Sequence, residues 1–262
     1  MGLDRLEEAK AVLQAGLQRN SQFRFVHDNL ALLAYAQGDP ATMDKEETFL
    51  HGEPDLEMSV AGRHGEIAAS HGQVQRAREF YEKGRQIAQR LQLREVEAFY
   101  LGSEANALAM FGNSKQAIEI CNSALALTPS FNSRGYITQV LAIAGENKRA
   151  LELASLEAHE RIDDTLIQAI YVPVKQATVV LNTGDARKAL ELMKPALQYD
   201  KATPISLYVR GLAYLKAGDG ADAAGEFHKI LALSKRPDGH SPALCAAWHG
   251  PRVCSAGRHR EG

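Results

Sequence analysis

A glycine that ends an apolar helical pattern returns along this chain every 33 to 40 residues. The six turn glycines are Gly38, Gly72, Gly112, Gly145, Gly184 and Gly218. Each is followed by polar residues, and a glycine in that place takes the left-handed conformation that ends one helix before the next begins. The interval fits one helix-turn-helix unit, and recurring units of this kind stack into an array. The sequence therefore predicts an all-α fold, an α-solenoid of antiparallel helix pairs.

Small and large residues recur at fixed distances from these glycines. Seven residues before the glycine the first helix carries a small residue, except in the fourth unit, which has Thr138 there. Five residues after it the second helix carries alanine, except in the first unit, and four residues further lies a second position on the same face. The first-helix positions are Ala31, Gly65, Ala105, Ala177 and Gly211, and the second-helix pairs are Ala77 with Tyr81, Ala117 with Cys121, Ala150 with Ala154, Ala189 with Met193, and Ala223 with Phe227. We expect these positions to form the buried contact between helices.

This arrangement resembles the tetratricopeptide repeat, in which a first helix bearing a small residue pairs with a second bearing alanine, an aromatic residue and another small residue. The third and sixth units match best, at Ala105, Gly112, Ala117, Ala124 and Pro129 and at Gly211, Tyr214, Gly218, Ala223 and Phe227. The first unit matches least, because Met43 and Glu47 stand where alanine and an aromatic residue are expected. The resemblance covers residues 3–233 and implies a right-handed superhelix whose inner groove is lined by the first helices.

Two domains follow from these patterns. Residues 1–233 form the helical array, with an unpaired helix over 3–19 and six helix pairs, whose first helices fall near 22–37, 56–71, 94–111, 131–144, 164–183 and 203–217. Pro173 predicts a kink or a late start in the fifth first helix, since proline removes a backbone hydrogen bond. Asp39, Asn113, Asp185 and Asp219 are predicted helix caps. Residues 234–262 lose the helical period, and this tail is either disordered or translated out of frame.

Composition excludes several classes of function. The chain has 30 basic and 32 acidic residues, a net charge of −2 and no basic run, so we expect neither nucleic-acid nor membrane-surface binding. The amino-terminal segment is acidic and amphipathic, unlike a signal peptide, and only three cysteines occur, which together favour a cytoplasmic location. No stretch is apolar enough to span a bilayer.

Catalytic and metal-binding patterns are absent from the sequence. Protein-kinase signatures and a nucleophile elbow do not occur, and the histidines and cysteines have no standard zinc spacing. Asp163 and Asp164 precede an apolar run and are better explained as a helix cap than as a carboxylate pair. Cys121 falls at a buried position and is predicted to be an inert thiol. We therefore expect no enzyme activity, no cofactor and no metal.

A repeat array of this kind binds partners through the inner face of its first helices. Counting from the turn glycines, the predicted groove residues are Phe99, Asn106, Gln139, Tyr171, Thr178, Tyr208 and Glu66, with Phe25, Asp28, Ser59, Asn132 and Ile205 as further inward positions. Amides can donate to and accept from a peptide backbone, and aromatic rings offer apolar anchors. The expected ligand is a peptide or a partner helix. None of these positions is lysine or arginine, so binding of an acidic chaperone tail is not expected.

A second resemblance concerns the context of the array. Strings such as NLALLAYAQGD and YVRGLAYLKAGDGADAAGEFHKIL look like the repeat arrays that follow the catalytic domain of some bacterial serine/threonine protein kinases, notably of acidobacteria. The resemblance implies a docking or sensing module of a bacterial signalling protein, here without the kinase domain. The alternatives are the regulatory array of a transcriptional activator and a freestanding adaptor. Exposed apolar edges at the two ends of the array favour association into oligomers.

Overall fold

The structure is a computed structural model that describes residues 6–127, 130–200 and 203–235. Within these ranges the chain forms thirteen α-helices, two 3₁₀ segments and one π-helical turn. The α-helices are α1 (Leu6–Arg19), α2 (Arg24–Gln37), α3 (Pro40–Glu47), α4 (Pro54–Ser70), α5 (Val74–Arg90), α6 (Arg94–Met110), α7 (Ser114–Ala126), α8 (Phe131–Ala144), α9 (Asn147–Glu160), α10 (Val172–Thr183), α11 (Ala186–Leu192), α12 (Pro204–Ala217) and α13 (Gly220–Lys235). The 3₁₀ segments are Thr48–Leu50 and Lys194–Tyr199, and the π-helical turn is Ile167–Tyr171.

The helices pack as six consecutive pairs, from α2 with α3 to α12 with α13. Each pair also packs on the next, and the first helices α6, α8, α10 and α12 contact one another in series. The predicted all-α solenoid of helix pairs is therefore confirmed. The right-handed superhelix that the resemblance implies stays a prediction.

The six turn glycines all have a left-handed backbone, with φ between 70° at Gly38 and 101° at Gly184. At the third turn Gly112 donates its backbone N–H to Ala109 and Asn113 donates to Leu108, which satisfies carbonyls at the end of α6. These turns connect the two helices of one pair, as the spacing predicts. One further turn, between α5 and α6, uses a non-glycine residue in this conformation, Gln92, with φ 58°.

The predicted small and large positions form the contact inside each pair. The second-helix alanines, for example Ala77 and Ala117, are fully buried, and so is Cys121. Gly65 and Gly211 lie against the rings of Tyr81 and Phe227, so closely that a Cβ atom would overlap each ring. A small residue on one helix thus admits a large one from its partner.

The central core lies between the third and fourth pairs. Leu108, Ile137 and Leu141 have almost no solvent exposure and pack with the alanines of α6 and α7. Burial of an aliphatic side chain of this size contributes about 1.5–3 kcal/mol. This core lies behind the groove described below, because Tyr136 and Ile143 pack against it and also line the groove.

Three of the four predicted caps make the expected hydrogen bond. Asp39 accepts from the N–H of Thr42, Asp185 from that of Lys188, and Asp219 from that of Asp222, at 2.9–3.1 Å. Asn113 occupies the capping position of α7 without a side-chain hydrogen bond. Asp164 accepts from the backbone N–H groups of Leu166 and Ile167, which agrees with its interpretation as a cap.

The fifth first helix does not start late: its backbone is helical from Thr165 on, and a π-helical turn within it precedes Pro173. The π-helical turn Ile167–Tyr171 comes first, and Val172 donates its N–H to the carbonyl of Ile167, five residues back. Pro173 lies in the first turn of α10 directly after this wider turn, which accommodates a residue without a backbone N–H inside a helical stretch. The wider turn places Tyr171 at the mouth of the groove.

The array begins with α1 and its last described helix is α13. The helix without a first-helix partner, α1, packs Leu13 and Leu17 against Val26 and Leu30 of α2. Ser234 and Lys235 are the last residues of α13, past the predicted boundary at residue 233. The rest of the predicted tail lies outside the described residues. In the part of the chain that is described, no helix combines the length and apolar character needed to cross a bilayer.

Candidate partner-binding groove

A concave groove with a volume of about 380 Å³ runs along the inner faces of the first helices, from α4 to α12. Its wall is mostly apolar, with the polar side chains set at intervals. Of the predicted groove residues, Glu66, Phe99, Asn106, Gln139 and Tyr171 line it. The structure thus brings together side chains from four helix pairs.

The polar side chains of the groove follow the repeat. Glu66, Asn106 and Gln139 each lie six residues before a turn glycine, on α4, α6 and α8, and all three line the groove. Thr178 holds the same place on α10 but does not line it. Its Oγ1 accepts a hydrogen bond from Nε2 of Gln139 at 3.2 Å and donates to the carbonyl of Val174 at 2.8 Å. Thr178 therefore orients the Gln139 amide from behind.

Phe99 and Tyr171 are aromatic side chains at the mouth of the groove. They are 44% and 36% exposed, which is high for residues on packed helices. The Phe99 ring tilts against Tyr136 with 5.8 Å between centroids. Tyr208 does not line the groove, because it packs against the ring of Phe227 between α12 and α13. Of the three predicted aromatic anchors, two therefore line the groove, Phe99 and Tyr171.

A cluster of ion pairs joins the first and second helix pairs. Arg63 of α4 donates to Asp28 of α2 at 3.0 Å and to Glu47 of α3 at 2.7 Å, and Ser59 also donates to Asp28. Asp28 and Ser59 are therefore occupied and lie away from the groove, whereas Asn132 and Ile205 do line it. Phe25, although exposed, lies outside it too. Glu47, the mismatch in the first repeat, acts as an anion where the other units place a neutral side chain.

A buried ion pair in the groove wall was missed by the sequence analysis. Nζ of Lys175 on α10 lies 2.8 Å from Oε2 of Glu157 on α9, and both residues are 3% exposed. Lys175 also donates to the carbonyl of Tyr171 at 3.3 Å. Burial lowers the pKa of Lys175, and the adjacent Glu157 carboxylate raises it. The groove therefore does contain a basic residue, which corrects the prediction that its lining has none, but a carboxylate neutralises that charge.

The signal for this pair was present in the sequence. Lys175 interrupts an otherwise apolar stretch, Val172 to Val174 and Ala177 to Leu181, in a first helix. A lysine on such a face is almost never fully buried unless it is paired. The partner could not be identified from the sequence, because Glu157 lies on the preceding second helix between acidic residues that are exposed, Glu152 and Glu160.

Glu66 differs from Glu157 in having no partner. Within the described residues it makes no hydrogen bond or ion pair, and Arg63, one turn away on the same helix, is engaged by Asp28 and Glu47. Burial raises the pKa of Glu66 to about 7, and the attraction of Arg63 only partly opposes this. Glu66 is thus a carboxyl group that titrates near neutral pH at one end of the groove.

Glycines on the inner helices shape the wall. Gly62, Gly102 and Gly135 lie ten residues before a turn glycine, a register that the sequence analysis did not single out. A Cβ on Gly62 would meet the Tyr100 hydroxyl at 3.3 Å, and one on Gly102 would meet the Tyr136 ring at 3.1 Å. Glycine inside a helix costs about 1 kcal/mol relative to alanine, so such a series indicates close approach. Each of these glycines therefore lets a side chain from a following helix pack closely against the helix that carries the glycine.

The described residues hold no set of three His, Cys, Asp or Glu side chains suited to a metal ion. Cys121 is fully buried in the core, and burial raises the pKa of its thiol to about 12. A protonated, enclosed thiol is a poor nucleophile.

The repeated helix pairs define the class of this protein as an all-α solenoid. No model of a known protein family matches the chain, and neither does a curated protein sequence. Among solved structures it is similar to the crystal structure of the P58(IPK) TPR domain, with 12% sequence identity. The alignment covers 98% of this chain and 95% of that one, with a TM-score of 0.25. The assignment to the solenoid class rests on the helix pairs themselves.

Proposed function

We propose that this chain is a protein-interaction scaffold that binds an extended segment of a partner protein in the inner groove. The observation that carries the proposal is the alignment of Glu66, Asn106 and Gln139 in one register beside the exposed rings of Phe99 and Tyr171. Exposed aromatic side chains next to polar groups are typical of surfaces that bind partners. On this proposal the chain acts by binding and not as an enzyme.

The spacing of the polar residues suits an extended peptide. Neighbouring packed helices lie about 8–10 Å apart, which is the length of about three residues of extended chain. The amides of Asn106 on α6 and Gln139 on α8 can therefore meet peptide units about three residues apart and exchange hydrogen bonds with the peptide backbone. Oε1 of Gln139 is buried and has no hydrogen-bond partner among the described residues. A peptide N–H would satisfy it.

The wider role follows from the resemblance to kinase-linked arrays. We place the chain as a docking or sensing module of a bacterial signalling protein in the cytoplasm, with the regulatory array of a transcriptional activator or a freestanding adaptor as the alternatives. The partner is a protein or peptide and not nucleic acid, membrane or an acidic chaperone tail. An acidic tail is disfavoured because Glu66 is unpaired and Glu157 already neutralises Lys175. Association of the array with itself remains part of the proposal.

A blocked groove tests the proposal. Dodecapeptides displayed on phage are selected on the full chain and then measured against Asn132→Trp, at an exposed residue of the groove wall, and Gln116→Trp, at an exposed residue of α7 outside it. We expect Gln116→Trp to bind as the parent chain does and Asn132→Trp to bind at least tenfold more weakly, with both variants melting as the parent does. Equal binding by Asn132→Trp would overturn the proposal.

A further inference from the structure

We infer that the groove selects a partner segment carrying a cationic side chain on an apolar stem, and that Glu66 receives the cation. The inference rests on the proposed function, since it takes the groove as the place where the segment binds. It goes beyond that proposal by specifying the chemistry of the partner side chain that the groove recognises.

The charges of the groove wall support a cation and disfavour an anion. Apart from tyrosines, the ionisable groups that line the groove are Glu66, Glu157 and Lys175. Lys175 and Glu157 neutralise each other at 2.8 Å. The nearest other cation, Arg63, is held by Asp28 and Glu47. One negative charge, on Glu66, is left without a partner among the described residues.

Hydrogen-bonding capacity points the same way. Oε1 of Gln139 is a buried acceptor without a hydrogen-bond partner in the described part of the chain, and no hydrogen bond contributes to the pKa of the Glu66 carboxyl group. One N–H of the Gln139 amide is already used, because it donates to Thr178. A ligand satisfies the open acceptors by supplying donors, which an ammonium or guanidinium group does.

The remaining wall suits the stem of such a side chain. Tyr81, Phe99 and Tyr136 line the groove with Glu66 and present apolar rings. Aliphatic stems of lysine and arginine pack on apolar surface while the charged end reaches a polar group. A cation near these rings is also attracted by their π faces. The aromatic wall and the carboxylate therefore favour the same ligand group.

Binding of the cation should depend on pH through Glu66. The groups that interact electrostatically with this carboxyl are Arg63 on its own helix, Tyr35 on α2, Tyr81 on α5, Tyr100 on α6 and Tyr136 on α8. Burial raises the pKa of each tyrosine, so these rings stay neutral near pH 7. Because the pKa of Glu66 is about 7, its ionised fraction rises about tenfold between pH 6 and pH 8. Affinity for a cation should rise by the same factor.

Three probes of similar size test the inference on the full chain: phenethylammonium, 2-phenylethanol and 3-phenylpropionate. Their dissociation constants are measured from the NMR shifts of the Ile143 and Ile205 methyl groups, which line the groove. We expect phenethylammonium to bind tightest at pH 8 and to lose most of that preference in Glu66→Gln. The control Glu119→Gln, at an exposed residue of α7 outside the groove, should keep it.

Tighter binding of 3-phenylpropionate, an ammonium preference unchanged in Glu66→Gln, or no binding of phenethylammonium at millimolar concentration would overturn the inference. Selected peptides separate it from the proposed function. Peptides that bind in an Asn132→Trp-sensitive way but carry no lysine or arginine, and bind Glu66→Gln equally well, overturn the inference and leave the scaffold proposal standing. An ammonium preference without any peptide binding overturns the scaffold proposal, and with it a peptide as the source of the cation.

Discussion

Gly65 of α4 lies directly against the ring of Tyr81 on α5, in the space where any other residue would place its Cβ. The same relationship recurs between Gly211 of α12 and Phe227 of α13. In both pairs the glycine lies seven residues before the turn glycine, and the aromatic residue lies nine residues after it. The second and sixth helix pairs thus use the same contact, a glycine on the first helix packed against an aromatic ring of the second.

Gly65→Ala should therefore destabilise the fold. The added methyl group forces the Tyr81 ring and α5 to move, and overpacking of this kind costs about 1–3 kcal/mol. Gly225→Ala is the matched control, because Gly225 lies on an exposed part of α13 and an added methyl group there would have no neighbouring atom within 4 Å. It should be neutral or stabilising by up to about 1 kcal/mol. Urea unfolding followed by circular dichroism measures both, and equal stability of the two variants would contradict the packing argument.

The turn glycines act through the backbone alone. Gly145 has φ 90° and no atom within 4 Å of the place where a Cβ would stand, so Gly145→Ala introduces strain without a clash. The expected loss is about 1–2 kcal/mol. The reverse change, Gln92→Gly, removes strain at φ 58° and should stabilise the chain by a few tenths of a kcal/mol after the added flexibility of the unfolded chain is subtracted. Thermal melting of both variants checks the opposite signs.

Features that depend on local spacing could be predicted from the sequence, whereas features that depend on how the helices pack could be predicted only in part. The turn glycines and the small positions opposite large residues depend on local spacing, which the sequence displays directly, and the structure confirms both. The groove lining was predicted only in part because it depends on helix rotation. The ring of Tyr208 packs against Phe227, and Asp28 accepts a hydrogen bond from Arg63, so neither side chain lines the groove. The pairing of Lys175 with Glu157 joins two helices and could not be predicted from spacing alone.

Lys175→Met should be strongly destabilising. It leaves Glu157 buried without its cation, and removal of one partner of a buried ion pair costs about 3–5 kcal/mol. The double variant Lys175→Met with Glu157→Leu removes both charges and should recover most of that loss, because an apolar pair of similar volume is often as stable. A double-mutant cycle in urea gives the coupling. Additive effects of the two single substitutions would show that the pair does not interact.

Glu66 should make stability depend on pH. Its folded pKa of about 7 lies above its ordinary value of 4.5, so the folded chain favours the protonated form. The associated stabilisation is complete below pH 4.5 and is lost as the pH rises through 7. Relative to Glu66→Gln, the parent chain should therefore lose on the order of 2 kcal/mol between pH 4.5 and pH 8, a value reduced for the partial contact of Glu66 with solvent.

The pKa of Glu47 is shifted in the opposite direction to that of Glu66, so Glu47 serves as an internal comparison. Burial raises its pKa, but hydrogen bonds from His64 and Arg63 outweigh burial and lower it. Its contribution is lost on acidification and is the same in the parent chain and in Glu66→Gln, so it cancels in their difference. A stability difference that does not change between pH 4.5 and pH 8 would contradict the raised pKa of Glu66.

The most direct test of the scaffold proposal is a methyl NMR map of the chain with a phage-selected dodecapeptide bound. Ile143, Ile167 and Ile205 line the groove, whereas Ile120 and Ile162 lie outside it. We expect the methyl signals of the first three to shift on titration and those of the other two to stay unchanged. Shifts confined to Ile120 and Ile162, with the three groove residues unchanged, would contradict it.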